Sequence, residues 1–359
     1  MPPTKKVPAG TQFSFETLEW GKIIQALHGY ASSEIGKELV DDLEPSTDPS
    51  KIKTGLKINA ECLDVIKTGK SYPIQGCQDT KKIAKSLSVT NTVLSVDDAN
   101  GILINLEISG RMKKSFKDRD QDYPGLFSLT QELLPHSNIV SSIRKKIDET
   151  GLVLDSASPQ LRKLRKQQQR MQSALQKALD SLIKKFSSDK VLQEEHFTIR
   201  NGRHVLPVKE SHSRRFQGIT HDVSSTGSTL FMEPLEIVER NNEINRIKAL
   251  EVEEIRNILL DISKQLAGIS EDIYNNQDVL AKLDFHYACG NLAYRLGAEK
   301  PDITQSNTLI LLNARHPILL LNADNPADIV PLSVTLGKDF NTLIISGPNA
   351  GGKTVTLKT

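Results

Sequence analysis

An apolar stripe on a long charged segment, interrupted once and then resumed, constrains this chain most. Leu161, Leu164, Met171, Leu175, Ala178, Leu182 and Phe186 recur at three- and four-residue spacing. Between them stand Arg162, Lys163, Arg165, Lys166, Gln167, Gln168, Gln169 and Arg170. A seam that narrow on a helix that charged calls for a single partner helix rather than a broad core. Ile237, Ile244, Ile247, Ile255, Leu259, Ile262 and Leu266 supply one further along. The two stretches predict the arms of an antiparallel coiled coil. Ser158-Pro159 marks the start of the first arm: a capping hydroxyl, then proline where no backbone N–H is needed.

Between the arms the period shortens to two. Phe197-Thr198-Ile199-Arg200 alternates, Asn201-Gly202 has the chemistry of a type I′ turn, and Arg203-His204-Val205-Leu206-Pro207-Val208 returns. Ser224-Ser225-Thr226-Gly227-Ser228 leads into a further short strand, Thr229-Leu230-Phe231-Met232. A small β-rich head is therefore expected at about 195–235.

Elsewhere the pattern is mostly helical. Residues 1–12, with Pro2, Pro3, Pro8 and Gly10, read as a disordered tail. Leu18, Ile23, Ile24 and Leu27 fit one helix ending near Gly29; Ile35, Leu39 and Leu43 fit another, closed by Pro45. Helices at 52–66 and 97–108 follow, the latter capped by Ser95 or Asp97, then a loop at 118–125. A further helix at 279–296 is stopped by Gly297 and Pro301. Strand-like runs then appear at 309–312, 318–321, 329–332 and 342–345. The expected fold is mainly α. It comprises a helical core and lever at 13–154, a coiled-coil clamp with its β-head at 155–298, and the start of an α/β phosphate-loop domain at 299–359.

Composition narrows the classes. Of 359 residues, 38% are hydrophobic and 25% charged, so much of the chain is exposed helix surface. A net charge of +2 is too balanced to imply a nucleic-acid partner by itself. Cys62, Cys77 and Cys289 are far apart with no CxxC pair, which excludes a sequence-legible zinc site or disulfide framework and fits a reducing cytoplasm. No signal peptide is visible and no apolar run approaches about 18 residues, so no membrane partner is expected.

The chemical signal lies at the end. Gly347-Pro348-Asn349-Ala350-Gly351-Gly352-Lys353-Thr354 has the GxxxxGK[ST] spacing of a phosphate-binding loop. Glycines let successive N–H groups curl around phosphate oxygens. Lys353 is placed to reach the β- and γ-phosphates of ATP, and the Thr354 hydroxyl to join the Mg2+ shell. Leu343-Ile344-Ile345 before the loop reads as a buried parallel strand, and Val355-Thr356-Leu357-Lys358 after it as a helix start.

These residues resemble a family. The loop is similar to the GPN-x-GGKT loop of MutS-type ATPases, and Arg315-His316-Pro317 to the Arg-His-Pro element upstream of it. The stretch from Ile199-Arg200-Asn201-Gly202-Arg203 to Lys209 resembles the head of the MutS-two branch, and so does that from Gly218-Ile219-Thr220-His221-Asp222-Val223 to Glu233-Pro234. Asp155-Ser156-Ala157-Ser158-Pro159, Leu18-Glu19 and Ala31-Ser32-Ser33 fit it too, so the likeness spans residues 15 to 359. His204 stands where the family more often has tyrosine.

The resemblance implies a homodimer with composite ATP sites and a lever and clamp gripping DNA or ribosomal RNA. It also implies suppression of recombination and rescue of collided ribosomes. The family carries the remainder of its ATPase, with the magnesium-binding carboxylate, and an Smr nuclease domain after this loop. This chain is therefore expected to bind ATP without being a competent ATPase or endonuclease alone.

Arg200, Arg203, Lys209, Arg214 and Arg215 cluster in the head and are the candidate nucleic-acid contacts. On the arm, the basic residues serve solubility as readily as binding. His204, His212, His221 and His316 have no metal-binding spacing. His286 and Cys289, one turn apart, read as core, and Glu194, Glu195 and Glu233 as solvated charges. Asn241-Asn242 reads as a packing or turn contact. The alternative to an ATP-binding clamp is a non-enzymatic helical interaction module with a vestigial loop.

Overall fold

The computed structural model describes residues 15–69, 74–89, 91–348 and 352–359, so the tail expected at 1–12 lies outside the described residues. The chain is mainly helical, with two small antiparallel sheets. In order, the elements are α1 (Trp20–His28), α2 (Glu34–Asp41), α3 (Pro49–Lys67), α4 (Lys81–Ser86), α5 (Val96–Ser115), α6 (Pro124–Gln131), α7 (Ser137–Arg144) and α8 (Pro159–Ser188). Then come β1 (Thr198–Arg200), β2 (Arg203–Lys209), β3 (Gly218–Val223), β4 (Thr229–Pro234), α9 (Leu235–Ala267) and α10 (Ser270–Leu296). The last are β5 (Leu309–Ala314), α11 (Pro317–Asn322), β6 (Leu332–Leu336) and α12 (Lys353–Lys358). They form two compact units. The first joins the described residues up to 88 to Gly101–Val140 and Ile269–Thr359; the second is Val89–Asn100 with Ser141–Gly268.

In the first unit α10 is the central helix. It packs on α3 through Cys62, Val65, Leu280 and Leu283, which join Ile108, Met112 and Leu126 in one core. The approach is close: a Cβ added at Gly290 would lie 2.9 Å from that of Cys62. Because α10 is enclosed, its polar residues must find partners. Asn276 exchanges bonds with the backbone of Leu134 at 2.8 Å each way, and Gln277 accepts from the backbone and hydroxyl of Thr80 at 2.7 and 2.6 Å. Asp284 accepts from the Ser32 and Ser33 amides at 3.0 and 2.8 Å and from the Ser33 hydroxyl at 2.5 Å. Local chemistry sets the ends: Asp48 caps α3 ahead of Pro49, Ser95 accepts from the Asp98 amide at 3.0 Å, and Gly297 stops α10 at φ 59°.

In the second unit α8 and α9 run antiparallel. Ser158 meets Glu254 at 2.6 Å, Arg165 meets Glu251 at 2.8 Å and Gln167 meets Glu243 at 3.1 Å, so numbers rise on one helix as they fall on the other. The expected start is observed: Pro159 opens α8 and the Ser158 hydroxyl accepts from the Leu161 amide at 2.9 Å. Between the helices lies a four-stranded sheet in the order β1-β2-β4-β3. Asn201 and Gly202 turn the first hairpin at φ 50° and 74°, both in the left-handed region a type I′ turn needs. Leu206, Val208 and Met232 of the sheet pack with Leu175, Leu179 and Leu182 of α8 and Ile237 and Ile244 of α9. Strand β3, not singled out by periodicity, completes the edge with a bulge between Thr220 and Asp222.

The stretch after α10 departs from expectation. Strand β5 forms as read and pairs antiparallel with β6. Residues 318–321 are helical instead, because Pro317 stands at the first position of α11, where its fixed φ suits a helix. The run at 329–332 is irregular until Leu332 opens β6. Residues 342–345 form no strand, and Leu343 and Ile344 are 45% and 85% exposed. A buried parallel strand needs neighbours on both edges, and none pairs with this run among the described residues.

Candidate functional site

Both ends of the candidate phosphate loop are described. Gly347 has φ 148° and Gly352 φ 79°, and added Cβ atoms would meet nothing within 4 Å at either. At these two positions the glycines therefore serve backbone conformation rather than close packing. Lys353 opens α12, and its Nζ reaches back to donate to the Gly347 carbonyl at 2.6 Å, tying the end of the loop to its beginning. Pro348 and Thr354 are exposed, and the Thr354 hydroxyl has no partner among the described residues. Asn349, Ala350 and Gly351 lie outside the described residues.

Two further elements frame the loop within the same unit. Lys358 of α12 pairs with Glu19 at 2.8 Å, and Glu19 also holds Lys22. Those hydrogen bonds, from Lys22 first and then Lys358, bring the Glu19 carboxyl down to about 2. On the other side, Arg315 donates to the Ile329 carbonyl at 3.1 Å. His316 is buried and its Nδ1 has no hydrogen-bond partner among the described residues; burial lowers its pKa. His316, Ile329 and Pro331 line a cavity of about 460 Å3 together with Gly352, Val355 and Thr356. His316 and Gly352, the last glycine of the candidate loop, thus line one cavity.

In the head, the candidate cations are not equivalent. Arg203 donates from Nη1 to both carboxylate oxygens of Glu233, at 2.8 and 3.0 Å, and from Nη2 to the Asn242 side-chain carbonyl at 2.6 Å. Glu233 is completely buried and also takes His221 at 2.6 Å and Asn241 at 2.7 Å. Asn241 in turn bonds the ring and backbone of His204. Glu233 is therefore not the solvated charge expected. Its strand neighbours Met232 and Pro234 are buried with it, so the carboxylate has to be paired. Arg200 pairs with Asp222 at 3.2 Å and lies 4.4 Å from the centre of the Phe231 ring. Lys209 donates to the Lys190 carbonyl at 3.1 Å. Arg214 and Arg215 are exposed and have no ion pair among the described residues.

No family model matched the chain. Curated proteins did. Endonuclease MutS2 of Clostridioides difficile (strain 630) is 34% identical over 351 residues, covering 96% of this chain and 43% of that protein. Endonuclease MutS2 of Listeria innocua serovar 6a is 35% identical over 350 residues, 95% of this chain and 43% of that protein. Endonuclease MutS2 of Halalkalibacterium halodurans is 34% identical over 346 residues, with 95% and 43% covered. The chain belongs to the MutS2 family. It spans less than half the length of these MutS2 relatives.

The remaining candidates in this MutS2 chain are structural. His286 bonds Asn59 at 2.7 Å rather than Cys289, and burial lowers its pKa to about 4. Burial also pushes the Cys289 and Cys77 thiols up to about 12 and raises that of Cys62, so none is a thiolate nucleophile near neutrality. The described residues hold no cluster of three or more potential metal ligands and no helix long and apolar enough to cross a membrane. What sequence reasoning missed is the Glu233–His221–Asn241 set. One signal was available: an acid flanked by Phe231, Met232 and Pro234 in an apolar strand.

Proposed function

We propose that this chain is the ATP-binding, nucleic-acid-clamping part of a MutS2 protein. The observation that carries the nucleotide reading is the hydrogen bond from Lys353 back to the Gly347 carbonyl, with Gly347 and Gly352 both uncrowded. An ammonium group held there by one carbonyl is free to exchange it for phosphate oxygens. Lys353 would hold the β- and γ-phosphates, and the unpartnered Thr354 hydroxyl would enter the shell of Mg2+. The described residues fit both groups. Mg2+-ATP would supply differential binding energy to a two-state clamp; the chain's own part is to bind and orient it.

The clamp reading rests on α8 and α9 as a coiled-coil arm and on the basic head at its end. Cross-helix contacts at Ser158, Arg165 and Gln167 support the arm. The relatives are named endonucleases, which supports a nucleic-acid partner: double-stranded DNA, with suppression of recombination, or ribosomal RNA, with ribosome rescue. A homodimer in the cytoplasm belongs to the same reading.

Equilibrium titration with a fluorescent ATP analogue in Mg2+ tests it. Lys353→Ala is expected to weaken binding at least tenfold, about 1.4 kcal/mol. Undetectable binding by the unaltered chain, or an unchanged affinity in the variant, would leave only a helical interaction module with a vestigial loop.

A further inference from the structure

The head's cations divide into two sets, and the division says which surface faces a nucleic acid. Arg203 is committed to Glu233, a carboxylate with no exposed surface. If Arg203 turned outward to a phosphate, it would leave a buried charge without its cation, which costs more than a solvent-exposed ion pair returns. Arg200 is held by Asp222 and the Phe231 ring on the same sheet. Neither is a free contact.

The second set lies elsewhere on the head. Arg214 and Arg215 stand on the turn between β2 and β3. Arg215 lines a cavity of about 310 Å3 with His212, Phe216, Phe186, Asp189 and Val191, so this turn lies against the C-terminal end of α8. There Lys190 is exposed at φ 52°, and its carbonyl receives Lys209. Lys190, Lys209 and Arg215 thus lie at one edge, with the exposed Arg214 next to Arg215 in the chain, and among the described residues none of the four has an ion pair. Asp189 and Glu210 are the acids beside them, so cations outnumber carboxylates there by two.

We propose that the head grips a nucleic-acid phosphate backbone through the edge formed by Lys190, Lys209, Arg214 and Arg215, and not through Arg200 or Arg203. The proposal rests on the nucleic-acid reading above. The contacts are of the sequence-independent kind, each releasing counterions from the backbone.

The test is fluorescence anisotropy with a 30-base-pair DNA duplex and an RNA duplex of the same sequence, titrated between about 50 and 200 mM KCl. Replacing both Arg214 and Arg215 by Ala is expected to reduce the slope of log K against log salt by about 1.8. The variant's loss of affinity across that salt range then shrinks roughly twelvefold relative to the unaltered chain. Arg203→Ala is expected to keep the slope. If that variant does not fold, Arg200→Ala, which strands no buried acid, is expected to keep it too. An unchanged slope in the double variant, or an equal fall in either single variant, overturns the assignment. If the unaltered chain binds neither duplex, the nucleic-acid reading itself falls. The duplex bound more tightly identifies the source of the backbone.

Discussion

Asp284 of the helical unit and Glu233 of the head are both carboxylates with no exposed surface, and they are satisfied in opposite ways. Among the described residues Asp284 accepts only from neutral donors, the amides of Ser32 and Ser33 and the Ser33 hydroxyl, where the chain enters α2. Gly36 makes room for it: a Cβ there would fall on the carboxylate. Glu233 instead takes a guanidinium, an imidazole and an amide from three separate elements. The first acid pins one helix start to a central helix. The second ties two strands and α9 together through charge, beside the apolar cluster that packs the sheet on α8 and α9.

The largest expected effect separates them directly. Glu233→Ala strands Arg203 and Asn241 together and should cost about 3–5 kcal/mol, read by urea denaturation. A loss below about 1 kcal/mol would reduce the network to a surface ion pair. Acid should act on the other unit. Burial, and then Lys282, lower the pKa of His286 to about 4, so the folded chain keeps this ring neutral while the unfolded chain binds a proton from about 6.5 downward. Stability is therefore intact above about pH 6.5 and is lost progressively between there and about 4, by up to about 3 kcal/mol. His286→Gln should flatten that part of the pH profile; an unaltered profile would absolve this residue. The smallest of the three effects is that of Asp284→Asn. It keeps the shape but weakens charge-assisted bonds to three donors, for about 2 kcal/mol. A cost equal to that of Glu233→Ala would erase the distinction between the two acids.

Much of the architecture was legible because it is local. The start of α8 at Pro159 depends on one hydroxyl and one fixed φ, and the hairpin at Asn201-Gly202 on two left-handed residues. The antiparallel pairing of α8 with α9 was legible from the apolar stripe on each. The strand expected at 342–345 and the one at 318–321 were misread. A short apolar run does not by itself tell strand from helix or name its partners: 318–321 became a helix behind Pro317, and 342–345 found no neighbouring strand among the described residues. The head's arginines were legible as a cluster, but their pairing was not. Arg203 meets Glu233 across 30 positions, and charge alone does not tell a brace from a contact.

The sequence by itself determined what short-range physics sets: helix starts and stops, the turn, the seam and the Lys353-Thr354 placement. Tertiary structure decided everything that depends on proximity between distant residues. It enclosed α10 and so forced Asp284, Asn276 and Gln277 to find partners. It buried Glu233 and thereby engaged Arg203, while Arg214 and Arg215 have no ion pair among the described residues. The physical reason is that the cost of an unpaired charge is set by how completely its surroundings exclude water, and that exclusion arises only once the elements have packed.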